Sequence, residues 1–383
     1  MESPPDGSSL PPLEDWAVVV TNFDDHIPVE HVPEIVRPKR SHLLVAISLD
    51  PEDHTLFPVR IVDQGRMSVP DEVRFVGPGL VTLPEPRGTG FEHDDSHDSD
   101  SDDNAGELPS QRQNSVRASR TRGALRGLYD RMGTQSVLLM GFGRGGNELS
   151  RQLVATGVRH LIGIDGDHLE PENLDAAPDV SLESLHEFKV VEACRRLRLN
   201  QPDLTAICIP QPVTGPDASR VLAQSRVDTA FSFVDNQAAR LALSQTCRAS
   251  CTVHLDVGTH IRWEDDRRIM SADIRLFEPG RGCVACVPQM SAEELDDALY
   301  ELSAPAGSLH RGPRVEWHEE RAGSLLHLNA LASSLAVETW LSYVSGELRS
   351  SHWVRVLWPS GEAPRIESGS VTADPDCRFC GGR

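Results

Sequence analysis

Long apolar runs are missing from this 383-residue chain. No stretch reaches the roughly 20 consecutive apolar residues that a membrane-spanning helix needs. The start, Met1-Glu2-Ser3-Pro4-Pro5-Asp6, lacks the charged-then-apolar pattern of a secretory leader. Positive charge is also short: 37 Lys and Arg stand against 58 Asp and Glu, for a formal net charge of -21. That balance argues against a nucleic-acid surface, because phosphate binding calls on basic patches. Only eight cysteines occur, four of them in close pairs, which fits a reducing compartment better than a disulfide framework. These absences predict a cytoplasmic protein that engages neither membrane nor nucleic acid. The length allows two or three domains and a sizeable core.

What is present falls into four segments. Residues 1–13 are rich in Pro and Ser and predict a disordered N-terminus. Residues 14–86 carry strand-like runs at 16–20, 43–47, 59–62 and 73–76, a small β-rich accessory domain. Residues 87–115 include Glu92-His93-Asp94-Asp95-Ser96-His97 and a run of further aspartates; with so little to bury, they predict a solvated acidic linker. Residues 116–383 hold the motifs that carry chemistry.

The first motif is Gly141-Phe142-Gly143-Arg144-Gly145-Gly146, between the apolar run 136–140 and a helical pattern with Leu149, Leu153 and Val154 on one face. In this strand, turn and helix, Gly141 permits the tight turn, Gly143 lets backbone N–H groups approach phosphate, and Gly146 allows close helix–strand packing. A second strand, 160–164, ends at Asp165, where a carboxylate can hold a ribose hydroxyl. These features suit NAD or ATP equally. Later strands at 228–234 and 252–257, with helices at 237–250 and 324–346, predict an α/β fold with a Rossmann-like, doubly wound, mostly parallel sheet.

A second signal is Cys283-Val284-Ala285-Cys286 paired with Cys377-Arg378-Phe379-Cys380. Two such knuckles suit a tetrahedral four-cysteine zinc site. A thioredoxin-type redox pair needs its own βαβ setting, which neither knuckle has.

After Asp165 the chain continues Gly166-Asp167-His168-Leu169-Glu170-Pro171-Glu172-Asn173-Leu174. Lys189 then opens a helical segment, Asn200-Gln201-Pro202-Asp203 follows it, and Asp235-Asn236 with Arg240 come after a later strand. In that order these residues resemble the ThiF/MoeB/HesA family, bacterial relatives of ubiquitin-activating enzymes. The resemblance implies ATP chemistry on a protein or peptide C-terminal carboxylate, from a ubiquitin-like or sulfur-carrier partner, and a homodimer. Asp165 would hold the ribose, Asn173 and Lys189 would contact phosphates, and Asp235 would ligate magnesium. Asp167, Asn236 and Arg240 match the same pattern, though a capping carboxylate and a surface ion pair explain Asp167 and Arg240 almost as well. The zinc would be structural, clamping the C-terminal tail onto the core.

Two departures stand out. The family arginine that grips phosphate two residues after Asn-Leu is Ala176 here. Arg144 could supply that charge, as could an arginine from the series Arg112, Arg117, Arg120, Arg122 and Arg126 of a second subunit. The thioester cysteine usual after the first knuckle is also missing, since Val287 to Asp376 contains no cysteine. Cys247 and Cys251 are weak candidates for reactivity, and Cys194 and Cys208 read as core. His93 and His97, spaced HxxxH without a following proline, fit the linker better than the zinc ligands of a deubiquitinase-like domain fused to some relatives. The expected function is therefore ATP-dependent adenylylation without an obligatory enzyme thioester. An inactive nucleotide-binding scaffold and an NAD-dependent oxidoreductase are the alternatives.

Overall fold

The computed structural model describes residues 17–27, 43–46, 60–63, 66–76, 81–84, 118–176, 180–211, 227–287 and 324–380. The chain divides into two units, residues 1–113 and 114–383. The acidic segment with His93 and His97, and also Arg112 and Arg117, lie outside the described residues.

The first unit contains β1 (Ala17–Ile27), β2 (Leu43–Ala46), β3 (Arg60–Asp63), β4 (Arg66–Val76) and β5 (Val81–Pro84). All pairings are antiparallel: β4 pairs with β1, β3 and β5, and β3 pairs with β2.

In the second unit a helical stretch at 118–125 precedes α1 (Gly127–Thr134) and β6 (Ser136–Met140). Val137 to Met140 are completely buried, as expected of a parallel strand covered on both faces. There follow α2 (Arg144–Ala155), β7 (His160–Ile164), α3 (Lys189–Asn200), β8 (Thr205–Ile209), β9 (Thr229–Ser232), α4 (Gln237–Ala249) and β10 (Val253–Glu264). The spatial order β8-β7-β6-β9-β10, all parallel, is that of a doubly wound sheet. Helices cover both faces. Leu243 and Cys247 of α4 pack on Leu138, Met140, Ile162 and Ile164. On the other face Val190 of α3 closes on Gly163, and Trp340 of α5 (Leu326–Ser345) meets Phe231 edge-on at 5.5 Å.

The sheet as a whole is mixed, because an antiparallel wing continues the parallel part. Strand β10 does not stop at Gly258 but runs to Glu264, turns through Asp265 and Asp266, and returns as β11 (Arg267–Phe277). Both turn residues have positive φ, 46° and 60°, the geometry of a two-residue hairpin whose twist matches its strands. Strands β12 (His352–Pro359) and β13 (Arg365–Ser370) extend this antiparallel wing. Gly258 is mid-strand because a neighbour comes close, not because the strand breaks: a Cβ there would lie 3.3 Å from the Arg240 guanidinium. Helix α5 is core, with Trp340 and Tyr343 fully buried, and it ends at Gly346 with φ 84°.

Candidate functional site

Register decides what meets at the top of the sheet. Met140 lies beside Ile164 on one side and Ser232 on the other, so Gly141, Asp165 and Phe233 leave the strands at one level. Between β6 and β9 the winding reverses, and the ends of such strands border the crevice where open α/β sheets bind ligands.

Gly141 has φ 95°, and a Cβ on it would lie 2.5 Å from the Phe233 carbonyl oxygen. The glycine turn and the segment leading to Asp235 are therefore packed backbone to backbone. A Cβ at Gly146 would fall 1.9 Å from the Gly141 carbonyl oxygen, so α2 can start here only with hydrogen at that position. At Gly143 a Cβ would meet nothing within 4 Å. That side of the loop is open, and it is where a phosphate could approach the backbone.

Phe142, Gly143, Arg144, Asn147, Leu169, Asn173, Lys189 and Arg196 line a cleft beside this loop. Of the expected site residues, Gly143, Arg144, Asn173 and Lys189 are thus brought together. Lys189 Nζ pairs with the exposed Asp167 carboxylate at 3.0 Å, and its backbone N–H donates to the Asp167 carbonyl. Arg144 donates to the carbonyl oxygens of Ser324 and Glu172 at 3.3 and 2.9 Å. Asn173 accepts the Glu170 N–H at 2.9 Å, which pins the turn that carries it.

Asp165, Asn236 and Arg240 tie the frame together. Asp165 is buried and accepts N–H bonds from Phe142 and Asp167, tying the glycine loop to the end of β7. Burial pushes its carboxyl above the usual range, against the pull of those two bonds. Asp235 is exposed just beyond β9. Asn236 caps α4, accepting the Ala239 N–H at 2.8 Å. Arg240 is not the surface ion pair that the sequence allows. It is buried, pairs with Asp256 at 2.6 Å, and also donates to the Val234 carbonyl just ahead of Asp235.

The match to known families runs from residue 114 to residue 357, well over half of the chain, and the family matched is ThiF. The chain belongs to the ThiF family. The ubiquitin-like modifier-activating enzyme 5 of Drosophila persimilis is 27% identical over 184 residues, covering 44% of this chain and 45% of the relative. The protein of the same name from Caenorhabditis briggsae is 23% identical over 269 residues, covering 66% and 56%. The chain thus spans about half the length of the curated relatives it matches. Among solved structures, E. coli MccB with ATP superposes with a TM-score of 0.50 at 17% identity, over 69% of this chain and 74% of that one. The MccB structure in complex with N-formylated MccA gives 0.51 at 17%, over 72% and 77%. At such identity the likeness speaks for the fold alone.

The second unit also gathers the four knuckle cysteines, two of them beyond the matched residues. Their Sγ atoms all lie within 4.8 Å of one another, with Cys283–Cys286 and Cys283–Cys377 at 3.7 Å and Cys286–Cys380 at 3.5 Å. Zinc–sulfur bonds of about 2.3 Å in a tetrahedron imply sulfur–sulfur edges of about 3.8 Å, close to these separations. Backbone N–H groups of Asp374 and Cys380 point at Cys286 and Cys377 Sγ, both at 3.4 Å, the kind of outer support that orients thiolate ligands. The tail knuckle also packs on the domain, since Phe379 and Val371 join a core with Ala238, Leu241 and Phe277.

The remaining cysteines differ in setting. Cys247 is buried, and burial alone pushes its thiol up, so it is a packing residue. Cys208, read as core, is half-buried on β8, its thiol drawn down by hydrogen bonding with Cys194 and by the Arg198 guanidinium.

Sequence reasoning missed Phe142, Asn147 and Arg196. Arg196 had a signal: it follows Lys189 by two helical turns and so shares its face. Among the described residues no helix is long and apolar enough to cross a membrane.

Proposed function

We propose that this ThiF-family chain is an ATP-dependent adenylyltransferase that activates the C-terminal carboxylate of a ubiquitin-like or sulfur-carrier protein or peptide. The observation that carries the reading is the switch-point cleft, where an open glycine loop and a helix N-terminus face Arg144, Lys189 and Asn173. A nucleotide triphosphate suits this cleft better than a dinucleotide, because three cationic side chains, Arg144, Lys189 and Arg196, line it. The names of the relatives support a ubiquitin-like substrate, and the MccB structures with ATP and with MccA support ATP and a peptide.

In this mechanism a carboxylate oxygen of the partner attacks the α-phosphorus of ATP. The bond from that phosphorus to the bridging oxygen breaks, leaving an acyl-adenylate and pyrophosphate. Gly143 N–H and the start of α2 would receive phosphate oxygens, with Lys189 and Asn173 holding the chain of phosphates in line. Lys189 would exchange its partner Asp167 for phosphate. Asp235, an exposed carboxylate at the neighbouring strand end, fits a magnesium ligand, and the ion would neutralise phosphate charge. Alignment of the two reactants can supply on the order of 7–11 kcal/mol of the barrier. The four knuckle cysteines would hold a structural zinc. An obligatory thioester on this chain is not part of the reading, since the stretch from Val287 to Asp376 has no cysteine. We include a homodimer in the proposal; light scattering at the mass of a single chain would remove it.

Ala176 in place of the family arginine favours one second reading, a nucleotide-binding scaffold without turnover. A thermal-shift comparison of Mg-ATP and NAD, on wild type and Asp235→Ala, tests the nucleotide. Ligand at about a hundred times its dissociation constant adds roughly 2.7 kcal/mol. Stabilisation by Mg-ATP that Asp235→Ala loses supports the proposal, and stabilisation by NAD alone sinks it. Pyrophosphate release with a carboxylate partner then separates enzyme from scaffold.

A further inference from the structure

We propose that Arg196 is a phosphate-contacting residue of the nucleotide cleft, supplying from α3 the cation that the chain lacks at Ala176. The inference rests on the adenylylation reading for its ligand but concerns a residue outside the recognised motif.

Arg196 and Lys189 lie seven residues apart on α3, so both face α2 across the cleft, and both line it. The Arg196 guanidinium is held in place: it donates to Asn147 Oδ1 of α2 at 3.1 Å, and its side chain is only 12% exposed. A fixed, poorly hydrated guanidinium is the form in which arginine recognises phosphate best.

The bland alternative is that Arg196 merely neutralises Glu192, the buried carboxylate one turn earlier. The distances argue against it. Arg195 grips Glu192 with two bonds, Nε to Oε2 at 2.7 Å and a terminal nitrogen to Oε1 at 2.8 Å. The separation of Arg196 from the same carboxylate is 3.5 Å. Glu192 is thus held more closely by its exposed neighbour Arg195 than by Arg196, whose guanidinium reaches across to Asn147 on the cleft side. Lys189, on the same face, meets the exposed carboxylate of Asp167 at 3.0 Å. A triphosphate entering this cleft would find in Arg196 a cation whose nearby carboxylate is already held by Arg195.

The test is nucleotide affinity by calorimetry, with Mg-ATP and AMP as separate probes, on wild type, Arg196→Gln, Arg196→Lys and Arg195→Gln. The glutamine at 196 keeps a donor for Asn147 and removes the charge. The expected result is a loss of about tenfold to a hundredfold in ATP affinity for Arg196→Gln, AMP affinity within about twofold of wild type, and substantial recovery in Arg196→Lys. Arg195→Gln is a surface change that should fold normally. It should still weaken ATP several-fold, because Glu192 then recruits Arg196. Unchanged ATP affinity in both glutamine variants, or equal losses for ATP and AMP, would overturn the role of Arg196 while leaving adenylylation standing. Wild type that binds neither nucleotide would overturn both.

Discussion

Removing the buried guanidinium of Arg240 should destabilise the ThiF domain by about 3 kcal/mol, and removing its partner Asp256 should cost more. Breaking a buried ion pair from one side typically costs about 3–5 kcal/mol, because the remaining charge is left in a medium that solvates it poorly. The ordering comes from the neighbours. Asp256 is fully buried and faces two cations, Arg240 at 2.6 Å and Arg275 at 3.2 Å, and it accepts the Ser232 hydroxyl at 2.7 Å. Arg240→Met leaves the carboxylate with Arg275 and Ser232, which places it at the low end of the range. Asp256→Asn leaves two buried guanidinium groups with no charge between them, about 5 kcal/mol or beyond. Urea denaturation followed by fluorescence, with buried Trp340 as reporter, measures both as midpoint shifts at constant slope. Equal costs, the reverse order, or an Arg240→Met cost below about 1 kcal/mol would refute the argument. Because Arg240 also donates to the Val234 carbonyl, Arg240→Met should weaken the magnesium-dependent part of ATP binding by loosening the turn at Asp235.

Other consequences are as direct. Burial drives the His254 pKa from 6.5 to about 4. The stability this neutral imidazole contributes is complete above pH 6.5 and is lost as pH falls toward and through 4, by up to about 3 kcal/mol; stability curves of His254→Asn that keep the same slope between pH 6.5 and 4 would contradict it. Gly143→Ala should leave the melting temperature unchanged yet weaken nucleotide binding, since its Cβ meets nothing in the protein. Gly146→Ala should lose about 1–3 kcal/mol or more, since its Cβ lands on the Gly141 carbonyl; calorimetric melting that ranks the two alike would contradict both. Elemental analysis should find zinc in wild type, none in Cys377→Ser, and a lowered melting temperature in the variant. A metal-free wild type that melts at the same temperature as Cys377→Ser would rule the zinc out.

Much of the parallel core was legible because its signals are local. The run 136–140, the glycine turn and the helix starting at Arg144 each follow from residue type and spacing, and Lys189 and Asn236 fall at helix starts. The antiparallel wing was less legible. Its turn, Asp265-Asp266, takes positive φ without a glycine, and Gly258 looks like a breaker until Arg240 is seen beside it. The burial of Arg240 was not legible, because nothing in the spacing reveals that Asp256, on the next strand, is waiting for it.

By itself the sequence determined the family, the order of strands and helices in the core, and which residue types were available for phosphate and metal, because these depend on periodicity and motif spacing along the chain. Which of those residues meet was decided only by the tertiary structure. Register brings Gly141, Asp165 and Phe233 to one level, the tail knuckle folds back to place Cys377 and Cys380 beside Cys283 and Cys286, and α2 and α3 close to set Arg196 beside Lys189. Charge and donor geometry act through space at a few ångströms, and distance along the chain does not report them.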